Sequence, residues 1–97
     1  MKYTIGFTDR AIETAEAIKS QLLNRWGLTI AEDFDRRATQ IVQLIELSPE
    51  MFPVSRFYNS LRQAPVHKNC SMFYAIRVNK VIIHFFWDNR QDPLFIK

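Results

Sequence analysis

Seven basic side chains in the second half of the chain are the residues whose types could do chemistry: Arg56, Arg62, His67, Lys68, Arg77, His84 and Arg90. Aromatic residues lie between them. Cations interleaved with rings can hold phosphates and stack bases. They can equally receive an acidic, apolar peptide segment. A third reading is a half-solvated face whose long cationic stems cover apolar surface. The stretch HFFWDNRQDP, residues 84–93, sharpens the choice. There an apolar run gives way at once to polar residues, and Arg90 stands just past the change. A buried strand needs such a stop, so the stop alone does not assign Arg90 a task.

Other chemistries find less support. The chain has two glycines, so a glycine-rich phosphate loop is excluded. His67 and His84 are its only histidines, and no Cys/His/carboxylate spacing suggests a metal. No cofactor is expected. Cys70 is the single cysteine, which rules out an intrachain disulfide and points to a reducing compartment. The segment MKYTIGFTDR lacks the apolar core of a secretory signal. No apolar run is long enough to cross a bilayer. A cytoplasmic protein that does not engage a membrane is therefore expected. Net charge is +3, unevenly spread: residues 1–47 carry −1 and residues 48–97 carry +4. A basic half permits an acidic partner without demanding nucleic acid, and direct nucleic-acid binding is not the expectation.

These side chains need elements to hold them. Ninety-seven residues, 47% of them hydrophobic, suffice for one domain spanning 1–97. Lys2–Phe7 alternates as a short strand. Thr8 or Asp9 offers an N-cap, and Ile12, Ala15, Ile18, Leu22 and Trp26 follow at helical spacing, with Gly27 as the stop. TIAE, residues 29–32, has the form of a capping box for a second helix. That helix carries Ile30, Phe34, Ala38, Ile41 and Ile45 on one side and ends at Ser48-Pro49. So short a connection makes the two helices an antiparallel hairpin. Residues 49–58 are irregular, with aromatics that pin the loop to the body. Asn59–Val66 is a weak strand that Pro65 assigns to an edge.

Met72–Val78 and Val81–Trp87 form a hairpin about Asn79-Lys80. A two-residue loop there pairs Val78 with Val81, Ile76 with Ile83, Tyr74 with Phe85 and Met72 with Trp87. These eight share an apolar face that the helices must cover. The second face then carries Phe73, Ala75, Arg77, Ile82, His84 and Phe86, and is partly open. The expected class is α+β: a strand, a helical hairpin on one face, and a largely antiparallel sheet, in the order β-α-α-β-β-β.

The segment SMFYAIRVNKVIIHFFWDNRQDP, residues 71–93, resembles the C-terminal hairpin of the RelE/ParE superfamily of type II toxins. The likeness is greatest to its ParE-type, plasmid-stabilization branch. LRQAPVHKN, residues 61–69, resembles the preceding strand of the same sheet. The N-terminal half matches by pattern alone, with FDRRATQI in its second helix. The resemblance implies a bacterial toxin held inactive by a cognate antitoxin, whose C-terminal segment wraps the helical hairpin and the open sheet face. Arg62, Arg77, His84, Phe86 and Arg90 are the expected partner-binding residues.

Activity divides that superfamily. RelE-like members cleave ribosome-bound mRNA, using basic residues on the ribose hydroxyl and the scissile phosphate and often a C-terminal tyrosine. ParE-like members inhibit DNA gyrase by binding. If this chain were a ribonuclease, Arg62, Lys68, Arg77 and Arg90 would surround the phosphate. Ser71, however, stands where ribonuclease members commonly place an arginine. The tail PLFIK has no tyrosine. Only Arg90 matches, so the resemblance favours the non-enzymatic, gyrase-binding branch. A mRNA endonuclease is the alternative, and a non-toxic member that binds only its partner is a third.

Overall fold

A computed structural model describes residues 2–89. Strand β1 (Thr4–Phe7) leads into α1 (Asp9–Trp26) and α2 (Leu28–Leu47). A short 3-10 turn (Pro49–Met51) follows, then β2 (Arg62–His67), β3 (Cys70–Arg77) and β4 (Lys80–Asp88). The four strands form one sheet in the order β1-β4-β3-β2. β1 runs parallel to β4, and the other two pairings are antiparallel. The expected α+β architecture is the one observed.

Local chemistry explains the helix ends. Thr8 has extended backbone angles, and its hydroxyl accepts from the Ala11 amide at 3.0 Å, the standard N-cap arrangement. Gly27 alone separates the helices. Its φ of 97° and ψ of 178° are open essentially to glycine, which is what lets one residue reverse the chain. The capping box expected at Thr29–Glu32 does not form. α2 begins at Leu28, one residue after that turn, so Thr29 already lies inside the helix.

The main core lies between the helices and the sheet. Phe34, Ile45, Met72, Tyr74, Val81, Ile83 and Phe86 meet there. The Tyr74 hydroxyl donates to the Pro49 carbonyl at 2.6 Å, which fastens the turn after α2 to the sheet.

The hairpin register differs from the expected one. The turn residues are Val78 and Asn79: Arg77 pairs with Lys80, Ile76 with Val81 and Tyr74 with Ile83. Val78, expected on the covered face, is 98% exposed at the tip. Between Phe73 and Tyr74 the register shifts, and His84 is left without a partner across the ladder. One extra residue in a strand reverses the facing of everything beyond it. Phe86 therefore turns under the helices, while Phe85 and Trp87, expected there, face the other way.

α1 supports this bulge. β1 ends at Phe7, so β4 beyond Ile83 has β3 on one side and no strand on the other among the described residues. Two threonines occupy that edge instead. The Thr8 hydroxyl donates to the His84 carbonyl at 2.7 Å, and the Phe86 amide donates to the Thr14 hydroxyl at 2.9 Å.

Candidate functional site

The second sheet face is not the partly open surface expected. Phe73, Ala75, Phe85 and Leu61 form a second, smaller core there. Tyr58 and Trp87 pack around it. Phe73 and Phe85 are stacked at 4.8 Å, and Tyr58 meets both edge-on. The Arg10 guanidinium sits 4.4 Å from the Phe85 ring centre. The rings are thus sealed under Leu61, Tyr58 and Arg10 and present no free faces for stacking. Arg10 was not legible as a site residue. It lies in the first turn of α1, where the only sequence signal was an exposed helical position.

The anticipated basic residues do not converge. Arg62 pairs with Tyr74 in the ladder and so stands on the helix side of the sheet, not on the second face. It donates to the carbonyls of Phe52 at 2.7 Å and Glu50 at 3.3 Å, holding the segment after α2. Lys68 lies in the β2–β3 turn, beside a hollow of about 340 Å³ that includes Trp26, His67, Cys70 and Asp88. Arg77 stands at the far end of β3. The length of that strand puts the two ends roughly 23 Å apart. One phosphate cannot be held by both. His67 approaches Asp33 of α2 at 3.5 Å, and Asp33 also pairs with Arg36 and Arg37. Arg56 is exposed. Phe86, expected at the partner surface, is instead 4% exposed and packs edge-on to Phe34 at 5.9 Å. Arg90 lies outside the described residues.

A smaller basic group, two cations and a histidine, lies on the second face. Arg77 and Lys80 are paired across the hairpin, and His84 lies further along β4 on the same side. Burial lowers the His84 pKa, and the nearby guanidinium groups of Arg77 and Arg10 lower it further. Burial, aided by Arg37, lowers that of His67. Among the described residues, Arg10, Arg77 and Lys80 form no ion pair with a carboxylate. Both histidines stabilise the fold when neutral. That contribution is present above the unfolded value near 6.5 and is lost as pH falls through the lower folded values. Two-dimensional NMR titration should show both imidazoles protonating below pH 6.5.

Cys70 offers no nucleophile. Burial, and then the Asp88 carboxylate, push its thiol up to about 12. Burial also lifts the Tyr74 phenol to about 12. Both groups keep their protons longer in the folded chain than in the unfolded one, so stability falls as pH rises from about 9 toward 12. Urea midpoints should decline steadily over that window. At pH 8 an alkylating reagent should modify Cys70 at least a hundredfold faster in urea than in buffer. Equal rates would place the thiol at the surface.

On the helix side, a groove of about 530 Å³ opens between α1 and α2. Phe34 and Phe86 contribute to its lining, as do Ile12, Ala15 and Val42, with Phe7 of β1 at one side. Phe7 and Ile12 are both half exposed. Among the described residues no cluster of His, Cys, Asp or Glu could hold a metal, and no helix is long and apolar enough to cross a membrane.

No protein-family profile and no curated protein sequence matches the chain. Solved structures do. A chain of the chromosomal ParDE TA system from P. aeruginosa superposes with a TM-score of 0.75 at 12% identity, over 88% of this chain and 94% of that one. The YoeB dimer from Staphylococcus aureus gives 0.59 at 10% identity, with the same coverage. At such low identity the likeness is one of architecture. By its strand order, its helical hairpin and these two likenesses, the chain has the RelE/ParE fold.

Proposed function

We propose that this chain is the toxin of a type II toxin–antitoxin module, acting in the bacterial cytoplasm, ParE-like in action and neutralised by a cognate antitoxin. Its fold, shared with a chain of a ParDE system, supports the toxin reading. The observation that carries the choice of branch is the scattering of the basic residues. Arg62 is committed to backbone carbonyls, and Lys68 and Arg77 stand at opposite ends of β3. General acid–base chemistry on a ribose hydroxyl requires groups within hydrogen-bond reach of one phosphate. A binding mechanism makes no such demand. The target is then DNA gyrase, engaged by surface contact.

The test has two arms. Purified chain should inhibit supercoiling by gyrase, and it should leave mRNA intact in a translating extract. Ribosome-dependent cleavage would transfer the chain to the endonuclease branch. Expression in a bacterial host should arrest growth, and the adjacent antitoxin gene should restore it. A folded, abundant chain that arrests nothing would mean a non-toxic binding protein.

A further inference from the structure

The segment between the 3-10 turn and β2, residues 52–61, has no regular structure, yet its backbone is held at several points. The Ser55 amide donates to the Leu61 carbonyl at 2.7 Å, and the Leu61 amide donates to the Tyr58 carbonyl at 3.1 Å. The Gln63 amide donates to the Pro53 carbonyl at 3.0 Å, and Val54 bridges to Arg62. Ser55 is buried, and its hydroxyl accepts from the amides of both Phe57 and Tyr58, at 3.0 and 3.2 Å. A hydroxyl that bonds the backbone two and three residues on fixes a turn.

That turn parts two neighbouring rings. Tyr58 enters the second core, edge-on to Phe73 and Phe85. Phe57 is held outside, 48% exposed. Met51 and Val54 before it are also half exposed. Charge along this part of the chain has one sign. Between Glu50 and Asp88 the sequence carries no carboxylate. Arg56, next to Phe57, is exposed and, among the described residues, forms no ion pair with one.

Aromatic rings and arginines carry much of the energy at protein interfaces. A loop already fixed in shape loses little conformational freedom on docking. The partner that fits is a protein with an apolar pocket for Phe57 and carboxylates at its rim for Arg56. Single-stranded nucleic acid is the less favoured occupant. It would stack on one ring and pair with one guanidinium, but Met51 and Val54 offer no flat face to a second base.

We propose that residues 54–57 are the chain's contact with the protein it inhibits, with Phe57 as the anchor and Arg56 as its charged neighbour. This deepens the toxin reading above and rests on it for the existence of a target. The loop contributes no residue to the groove between α1 and α2, so target and antitoxin need not share a surface.

Phe57→Ser and Arg56→Glu test the contact, with Val78→Ser at the exposed hairpin tip as the control. All three replace exposed side chains, so urea midpoints should stay at the wild-type value. The concentration that half-inhibits gyrase supercoiling should rise at least tenfold for Phe57→Ser and for Arg56→Glu, and stay unchanged for Val78→Ser. Both loop variants should still be captured by the antitoxin. Should Phe57→Ser not fold, Arg56→Glu decides alone. Wild-type inhibition by the folded loop variants would overturn the proposal. So would loss of antitoxin capture with inhibition intact, or a loss confined to affinity for a single-stranded RNA oligonucleotide. The two readings fail separately. A wild-type chain that spares gyrase yet arrests growth refutes the gyrase target alone, and growth under the two loop variants then judges the loop. A wild-type chain inert in both assays overturns the loop contact together with the toxin reading.

Discussion

Phe86→Ala should destabilise the chain by about 3–5 kcal/mol, the range for truncating a buried phenylalanine. The ring is 4% exposed, meets Phe34 edge-on and joins Val81, Ile83 and Met72 in the main core. Domains of this size have roughly 5–15 kcal/mol in total, so the variant should be marginal at 37 °C. The loss has two parts: the transfer of a large apolar group, and the cavity left where α1, α2 and β4 meet. Urea denaturation of the isolated chain measures it. Phe86→Leu keeps most of the volume and should lose less than half as much. The result separates two roles for this residue. A partner contact on an open face would lose affinity and leave the urea midpoint within a few tenths of a molar. A core residue moves the midpoint first, and any loss of partner binding follows from unfolding.

The placement of Phe86 also shows where sequence patterns end. Lys2–Phe7 and the two helices were legible because each carries one unbroken period, and the hairpin was legible as two strands about a turn though not in its register. Thr8 and Gly27 acted as their types predict at helix ends. Pro65 belonged on an edge and lies on one. β4 was misread in its second half because HFFW is apolar at three of four positions. Such a run fits either facing equally well. What decides the facing is the unpaired His84, and a bulge leaves no signature in a strand without glycine. The site suffered from the same cause. Alternation places Phe86 on the second face, and Arg62 is expected at the partner surface, yet both lie on the helix side. Arg10 was overlooked because its target, Phe85, had been placed on the wrong face. The covering of the second face depends on Tyr58 and Leu61, and their loop has no period to read.

The bulge makes its own prediction, through Thr14. This residue sits in the first half of α1, where a threonine is an indifferent helix former. Its hydroxyl donates to the Arg10 carbonyl at 2.7 Å and accepts from the Phe86 amide at 2.9 Å. The second bond lies at an edge of β4 that no strand covers. Thr14→Val keeps the shape and removes the acceptor. The Phe86 amide would then be left without a partner beside a packed helix, at about 1–3 kcal/mol. Thr14→Ser restores the hydroxyl and should recover most of the loss. Exchange at the Phe86 amide should quicken in the valine variant and stay slow in the serine variant. The comparison discriminates because valine is otherwise a good fit: it has the same branching and more apolar surface. If Thr14→Val were as stable as the parent, the hydroxyl would be incidental and packing alone would hold α1 on β4. If it is weakened as expected, the bulge is held from the helix. Two threonines on α1 and its cap then fix the facing of Phe85 and Phe86, and with it the division of the sheet into a main core and a sealed second face.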